Sequence, residues 1–192
     1  EISLGLVGSE MCIRDRNTVL AMISNIRDTS SAHERTSIIE VMGRHCGDIA
    51  LHAGLAGGAD DILIPEIELD INRACRRILR GQQSGKRHSI IIKAEGVPVS
   101  TAELRDIIEE RTGQETRAVV PGHIQRGGTP SRQDRVLASL MGAKAAELLY
   151  DDEESKAIGI TGGEIRACGL EEALQMKREF NTMLYDLAET LA

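Results

Sequence analysis

Apolar residues recur along the chain in two alternating rhythms, and the switch between them predicts strands and helices in turn. Val19, Leu20, Ile23 and Ile26 share one face at helical spacing, so a helix is expected from about Asn17. Residues 27–35 are a polar run and predict a loop. Ser37 to Val41 is short and largely β-branched, which predicts a strand. Gly43 breaks it, and a helix is expected over about 47–56. The alternation then repeats. Ile62-Leu63-Ile64 predicts a strand closed by Pro65, residues 70–83 a helix bearing Arg73, Arg76, Arg77 and Arg80, and residues 88–93 a strongly apolar strand. Ser100 with Glu103 has the spacing of a capping box, in which each side chain satisfies a free amide at a helix start. That helix is expected to run to about Arg111 and to stop at Gly113. Residues 116–120 predict a strand, 132–150 a long helix, 157–160 a strand, and 171–177 and 181–191 two closing helices. Residues 1–16 show no clear period.

Strands alternating with helices at this spacing imply βαβ units, hence an α/β fold with a mostly parallel sheet. The chain has 192 residues, enough for one or two domains. Apolar residues make up 41% and aromatics 2%, so the core must be built from Ile, Leu, Val, Ala and Met. A net charge of −7 excludes a global basic footprint for nucleic acid, and an anionic small molecule would need a local cluster of Arg and Lys. The four cysteines lack metal-ligand spacing and read as reduced thiols of a cytoplasmic protein. No apolar run approaches the roughly 20 residues of a membrane span, and no secretory signal is visible. The acidic run 151–154 reads as a solvated loop.

Ligands of open α/β sheets bind beyond the carboxyl ends of strands. Met42-Gly43-Arg44 follows one expected strand, Glu95 follows a second, and Gly122-His123-Ile124-Gln125-Arg126-Gly127-Gly128 follows a third. If these strands are parallel neighbours, Arg44, Glu95, His123 and Arg126 converge on one crevice, with Arg35 and Arg117 nearby. Arginine forks suit phosphate oxygens, a carboxylate accepts from sugar hydroxyls, and glycines let backbone amides approach a ligand. Each string taken alone reads more simply as turn glycines and surface arginines. Three strand ends together favour a phosphorylated sugar.

The same residues resemble the bacterial-type phosphofructokinases. The likeness runs from about residue 17 to the C-terminus. It includes Arg27-Asp28-Thr29-Ser30-Ser31 to Arg35, then Glu40-Val41-Met42-Gly43-Arg44-His45-Cys46-Gly47-Asp48. Ala56-Gly57-Gly58-Ala59-Asp60, Pro65-Glu66, Gly122 to Gly128, Pro130 and Asp134-Arg135-Val136-Leu137-Ala138 follow in order. The resemblance implies a three-layer α/β sandwich, here incomplete, and ATP-dependent phosphorylation of fructose 6-phosphate at its 1-hydroxyl in glycolysis, with Mg²⁺ accompanying ATP. It implies that Met42, Gly43 and Arg44 line the sugar-phosphate site together with Ile124 and Gln125, that Glu95 binds sugar hydroxyls, and that His123 and Arg126 hold the 6-phosphate. Arg44 would also support the transition state. Arg35 and Arg117 would reach a neighbouring subunit's site in a homo-oligomer, usually a tetramer.

A second site is implied at Arg27, Gly58, Asp60, Lys86, Arg87 and His88, where the family takes a nucleotide or phosphoenolpyruvate effector, with Asp60 as an effector-site Mg²⁺ ligand. The cluster also reads as a solvated basic turn. Asp60 stands where Glu is common, and Ser84 where Lys is expected. The resemblance further implies that residues 17–128 form the fructose 6-phosphate domain, 129–170 part of a nucleotide lobe whose apolar faces are left uncovered, and 171–192 helices returning to the first domain. The Thr-Ile-Asp-Asn-Asp loop of the family and its glycine-rich phosphate loop do not occur in this sequence, and Gly5-Leu6-Val7-Gly8 is not followed by Lys-Ser/Thr. Residues 1–16 lack the likeness and read as foreign to the gene. The chain alone is therefore expected to be inactive. Alternatives are a pyrophosphate-dependent relative and a non-catalytic sugar-phosphate or effector-binding module.

Overall fold

The computed structural model describes residues 3–151, 155–176 and 180–192. Two compact units emerge. One comprises residues 15–127 and 180–192, the other residues 1–14 and 128–179. A helix, α1 (Ser3–His33), contributes to both.

The larger unit is built on a parallel sheet of β1 (Thr36–Val41), β2 (Asp61–Leu63), β3 (Ser89–Ala94) and β4 (Thr116–Val119), in the order β2-β3-β1-β4. Crossovers are made by α2 (Asp48–Gly57), α3 (Ile71–Gln83) and α4 (Thr101–Thr112), and α7 (Thr182–Leu191) returns to the unit at the end of the chain. β1 and β3 run in register from Thr36↔Ser89 to Val41↔Ala94. Parallel strands are covered on both faces, which explains the near-continuous apolar runs. Ile38, Ile39, Ile91 and Ile92 are fully buried. Side chains alternate between faces. Ile92 meets α2, where Gly54 leaves room for it, while Glu40 meets Thr101 of α4.

Helix ends follow local chemistry. Asp70 accepts from the Arg73 amide at the start of α3, and Ser100 from the Glu103 amide at the start of α4, which Gly113 closes in the left-handed region. The polar run 27–35 is not a loop, because α1 continues to His33. Ser24 and Thr29 hydroxyls donate back to the Leu20 and Asn25 carbonyls, and the Ser30 and Ser37 hydroxyls meet at 3.0 Å. These bonds absorb the polarity that suggested a loop. The turn itself falls at Glu34, with φ 51°.

In the smaller unit α5 (Arg132–Tyr150) packs on an antiparallel hairpin of β5 (Lys156–Thr161) and β6 (Glu164–Gly169). Ser131 and Asp134 form a reciprocal capping box on α5. Leu137, Met141 and Ala145, spaced four apart, are buried. β6 escapes the hydrophobic rhythm, although Gly162-Gly163, both with positive φ, is the two-residue turn a hairpin favours. A short helix, α6 (Leu170–Gln175), follows with no buried residue. Leu140, Leu149 and Leu174 are exposed at 53%, 62% and 78%.

Candidate functional site

Because β3, β1 and β4 are adjacent and parallel, their carboxyl ends lie side by side. Past β1 the chain turns sharply at Gly43, where φ is 155° and an added Cβ would lie 2.2 Å from the Cys46 carbonyl oxygen. The Cys46 amide donates to the Gly43 carbonyl at 2.9 Å, which closes the turn. Arg44 takes φ 55°, a left-handed conformation that strains any residue other than glycine. Its carbonyl oxygen would lie 2.1 Å from a Cβ on Gly96, so residue 96 is restricted to glycine.

Glu95, just past β3, holds this turn. Its Oε1 accepts from the Gly43 amide at 3.1 Å and also from the Arg44 amide. The Glu95 amide donates to the Val41 carbonyl at 2.9 Å, so the two strand ends are fastened together. Past β4, residues Gly122–Arg126 form a 3-10 turn. Gln125 is the inward residue of that turn, buried to 1% exposure, and its Oε1 accepts from the Met42 amide at 3.1 Å. His123, Ile124 and Arg126 are exposed, as are Arg44 and Glu95. The three strand ends thus form an exposed platform. Arg44, Glu95, His123 and Arg126 belong to its surface, while Gln125 works beneath it as a brace rather than at the surface.

Arg35 and Arg117 are not near this platform. Arg35 precedes β1, and Arg117 pairs with Ser37 in register, so both lie at the amino end of the sheet. There they flank one carboxylate, Glu115, with Arg35 Nε donating to Oε2 at 3.0 Å and Arg117 to Oε1. Desolvation raises the Glu115 pKa, but the hydrogen bonds from Arg117 and Arg35 and their charges outweigh it and hold the carboxyl below the usual range. An open depression of about 510 Å³ at this end is lined by Glu34, Lys86, Arg87, Gln114 and Glu115, among others.

Most of the second cluster does assemble. Arg27 donates to the Gly58 carbonyl at 2.9 Å and to that of Gly57, which places a cation at the C-terminus of α2. Lys86 pairs with Asp60 Oδ1, and the Ile90 amide donates to Asp60 Oδ2 at 2.8 Å. Burial pushes His88 below its usual pKa, and the charges of Lys86 and Arg27 add to this against the pull of Asp60. Arg87 leaves the cluster and pairs with Glu34 at 3.2 Å. Each Asp60 oxygen thus accepts from one protein donor, and no group of three or more His, Cys, Asp or Glu is placed to hold a metal among the described residues.

Three polar sets went unread in the sequence. Glu66 accepts from the Gly47 amide with both oxygens, at 2.8 and 3.1 Å, at the N-terminus of α2. Asp61, only 2% exposed, takes Arg73 and Arg77 at 2.9 and 2.8 Å, and both arginines also reach Glu189 on α7. Lys93, 1% exposed, pairs with Glu40 at 2.9 Å. For Asp61 and Lys93, a charged residue inside a strand was the available signal. Among the described residues no helix is long and apolar enough to cross a membrane.

The profile of the family described as Phosphofructokinase matches residues 8–149, beginning inside the segment 1–16 that carries no legible likeness. The ATP-dependent 6-phosphofructokinase of Alkaliphilus metalliredigens is 54% identical over 176 residues, covering 92% of this chain and 55% of that protein. The ATP-dependent 6-phosphofructokinase of Clostridium acetobutylicum is 55% identical with the same coverage. The chain therefore spans about half the length of these curated relatives. Among solved structures, the phosphofructokinase of Saccharomyces cerevisiae superposes with a TM-score of 0.79 at 30% identity, covering 92% of this chain and 24% of that chain. With three quarters of its length inside the family profile, the chain belongs to the phosphofructokinase family.

Proposed function

We propose that this chain is the sugar-phosphate-binding part of an ATP-dependent 6-phosphofructokinase, which converts fructose 6-phosphate to fructose 1,6-bisphosphate in glycolysis. The observation that carries the reading is the platform on which Arg44, Glu95, His123 and Arg126 converge from three adjacent strand ends. Arg126 and His123 donate to the 6-phosphate, as a planar guanidinium suits two phosphate oxygens at once. Glu95, already fixed by the Gly43 and Arg44 amides, accepts from a sugar hydroxyl. Met42 and Gly43 line the sugar, and Arg44 neutralises charge that develops on the transferred group. Phosphoryl transfer depends mainly on such positioning and charge neutralisation. MgATP supplies the phosphoryl group. No residue of the chain is assigned to accept the hydroxyl proton or to hold the nucleotide, so the isolated chain binds sugar phosphate without turning it over.

The printed names of the relatives, all ATP-dependent enzymes, support ATP over pyrophosphate as donor. Arg27, Gly58, Asp60, Lys86 and His88 form the proposed effector site for a nucleotide or phosphoenolpyruvate. Arg35 and Arg117 are proposed to serve a neighbouring copy in a cytoplasmic homo-oligomer. Calorimetric titration with fructose 6-phosphate tests the central assignment. Binding is expected in the wild-type chain and about 10–100-fold weaker binding in Arg126→Ala, the loss of a charge-assisted contact. Unchanged affinity in that variant would refute the phosphate assignment.

A further inference from the structure

Met42 and Glu95 stand at the end of a stack of paired side chains. On one face of the sheet Ile38 and Ile91 are followed by Glu40 and Lys93, and the next positions are Met42 and Glu95. Each step is about 6.6 Å. The first pair is core, the last is the platform, and the middle pair is ionic. Lys93 is buried to 1% exposure, with Nζ donating to Glu40 Oε2 at 2.9 Å and toward the Ala94 carbonyl at 3.4 Å. Thr101, the first residue of α4, donates its hydroxyl to the same Glu40 oxygen. Burial opposes ionisation of Glu40, but the hydrogen bonds from Thr101 and Lys93 bring its carboxyl below the usual range.

Stability gives this pair no rationale. Burying two charges costs about as much as their attraction returns, and an apolar pair of equal volume is often as stable or more so. An apolar pair here would simply continue the core from Ile38 and Ile91. What the ionic set adds is fixed geometry. One carboxylate ties β1, β3 and the first turn of α4 together where the chain leaves the sheet for the Gly43–Arg44 turn. Two residues beyond Lys93, the Glu95 carboxylate must meet the Gly43 and Arg44 amides.

We propose that Lys93, acting with Glu40 and Thr101, is a positioning residue for the sugar-phosphate platform, holding Glu95 where its carboxylate fixes the Arg44 turn. Only the ligand readout of the test rests on the function proposed above.

The test uses the whole chain as wild type, Lys93→Met and the double variant Glu40→Gln/Lys93→Met. Hydrogen exchange is followed at Gly43 and Arg44, with Ile39 and Ile92 reporting the core, alongside titration with fructose 6-phosphate. In Lys93→Met, exchange at Gly43 and Arg44 is expected to rise about tenfold or more, and affinity to fall by about tenfold. The double variant is expected to recover the melting temperature to within about 2 °C while keeping the loop defect. Wild-type protection at Gly43 and Arg44 in either folded variant would overturn the proposal. So would recovery of stability and loop protection together in the double variant, or failure of both variants to fold, since each result marks a purely structural pair. A wild-type chain that does not bind fructose 6-phosphate would overturn the proposed function, and the exchange comparison would still decide this inference.

Discussion

Arg44→Gly should make the protein more stable and the site worse. Arg44 stands at φ 55°, where a side chain costs an L-residue about 1–2 kcal/mol. Glycine removes that cost but loosens the unfolded chain by about 0.4–1 kcal/mol. The balance is a gain of about 0.5–1 kcal/mol. Little else enters, because the Arg44 side chain is exposed and makes no hydrogen bond or ion pair among the described residues. The Arg44 amide, which donates to Glu95, survives the substitution. Arg44→Ala is the control, since it removes the guanidinium but keeps the strain. Exchange free energies of the Ile39 and Ile92 amides give the stability of the sheet without assuming that both units unfold together. Arg44→Gly should exceed Arg44→Ala by about 0.5–1 kcal/mol, while both bind fructose 6-phosphate about 10–100-fold more weakly. A glycine variant less stable than the alanine variant would refute the strain argument. Unchanged affinity in both would remove Arg44 from the site.

Further outcomes are expected elsewhere in the larger unit. Asp61→Ala leaves Arg73 and Arg77 with Glu189 as their one carboxylate among the described residues, and should cost about 3 kcal/mol; a change below about 1 kcal/mol in thermal unfolding would show that Glu189 suffices. His88 has a folded pKa below its ordinary 6.5, so the unfolded chain binds the extra proton first and stability falls as pH drops below 6.5 toward the folded value. Histidine NMR should show this pKa rising when phosphate or a nucleoside diphosphate binds beside Lys86 and Arg27, and an unmoved titration would count against the effector site. Gly96→Ala places a Cβ 2.1 Å from the Arg44 carbonyl oxygen. It should weaken fructose 6-phosphate binding about tenfold or more through displacement of the turn, with exchange at Ile92 little changed; equal affinity would mean the turn tolerates the shift.

The central sheet was legible because burial on both faces leaves a plain mark. Ile90-Ile91-Ile92 and Ile38-Ile39 can hardly be anything but interior strands, and the glycines and Pro65 punctuate them. Adjacent placement of the Arg44, Glu95 and Arg126 strand ends followed from assuming parallel neighbours, which the order β2-β3-β1-β4 provides. The end of α1 was misread because hydroxyls that bond back to their own helix look like loop residues when only polarity is counted. Arg35 and Arg117 were placed with the wrong end of the sheet because proximity in sequence to a strand does not say which end it marks. Lys93 and Asp61 were hidden for a different reason. A charged residue inside a strand declares itself as a partner-seeker, but its partners, Glu40 for Lys93 and Arg73 and Arg77 for Asp61, lie on other elements.

Strand length also sets a ruler. β1 has six residues, so about 17 Å or more of rigid backbone separates Arg35 from Arg44. No hexose phosphate spans that gap, so one copy of the chain cannot close both groups of arginines on one ligand. If both groups serve the same phosphate, each cleft is shared by two copies, and affinity becomes a function of protein concentration. Dilution would then act as an inhibitor, emptying clefts by separating copies while every fold stays intact.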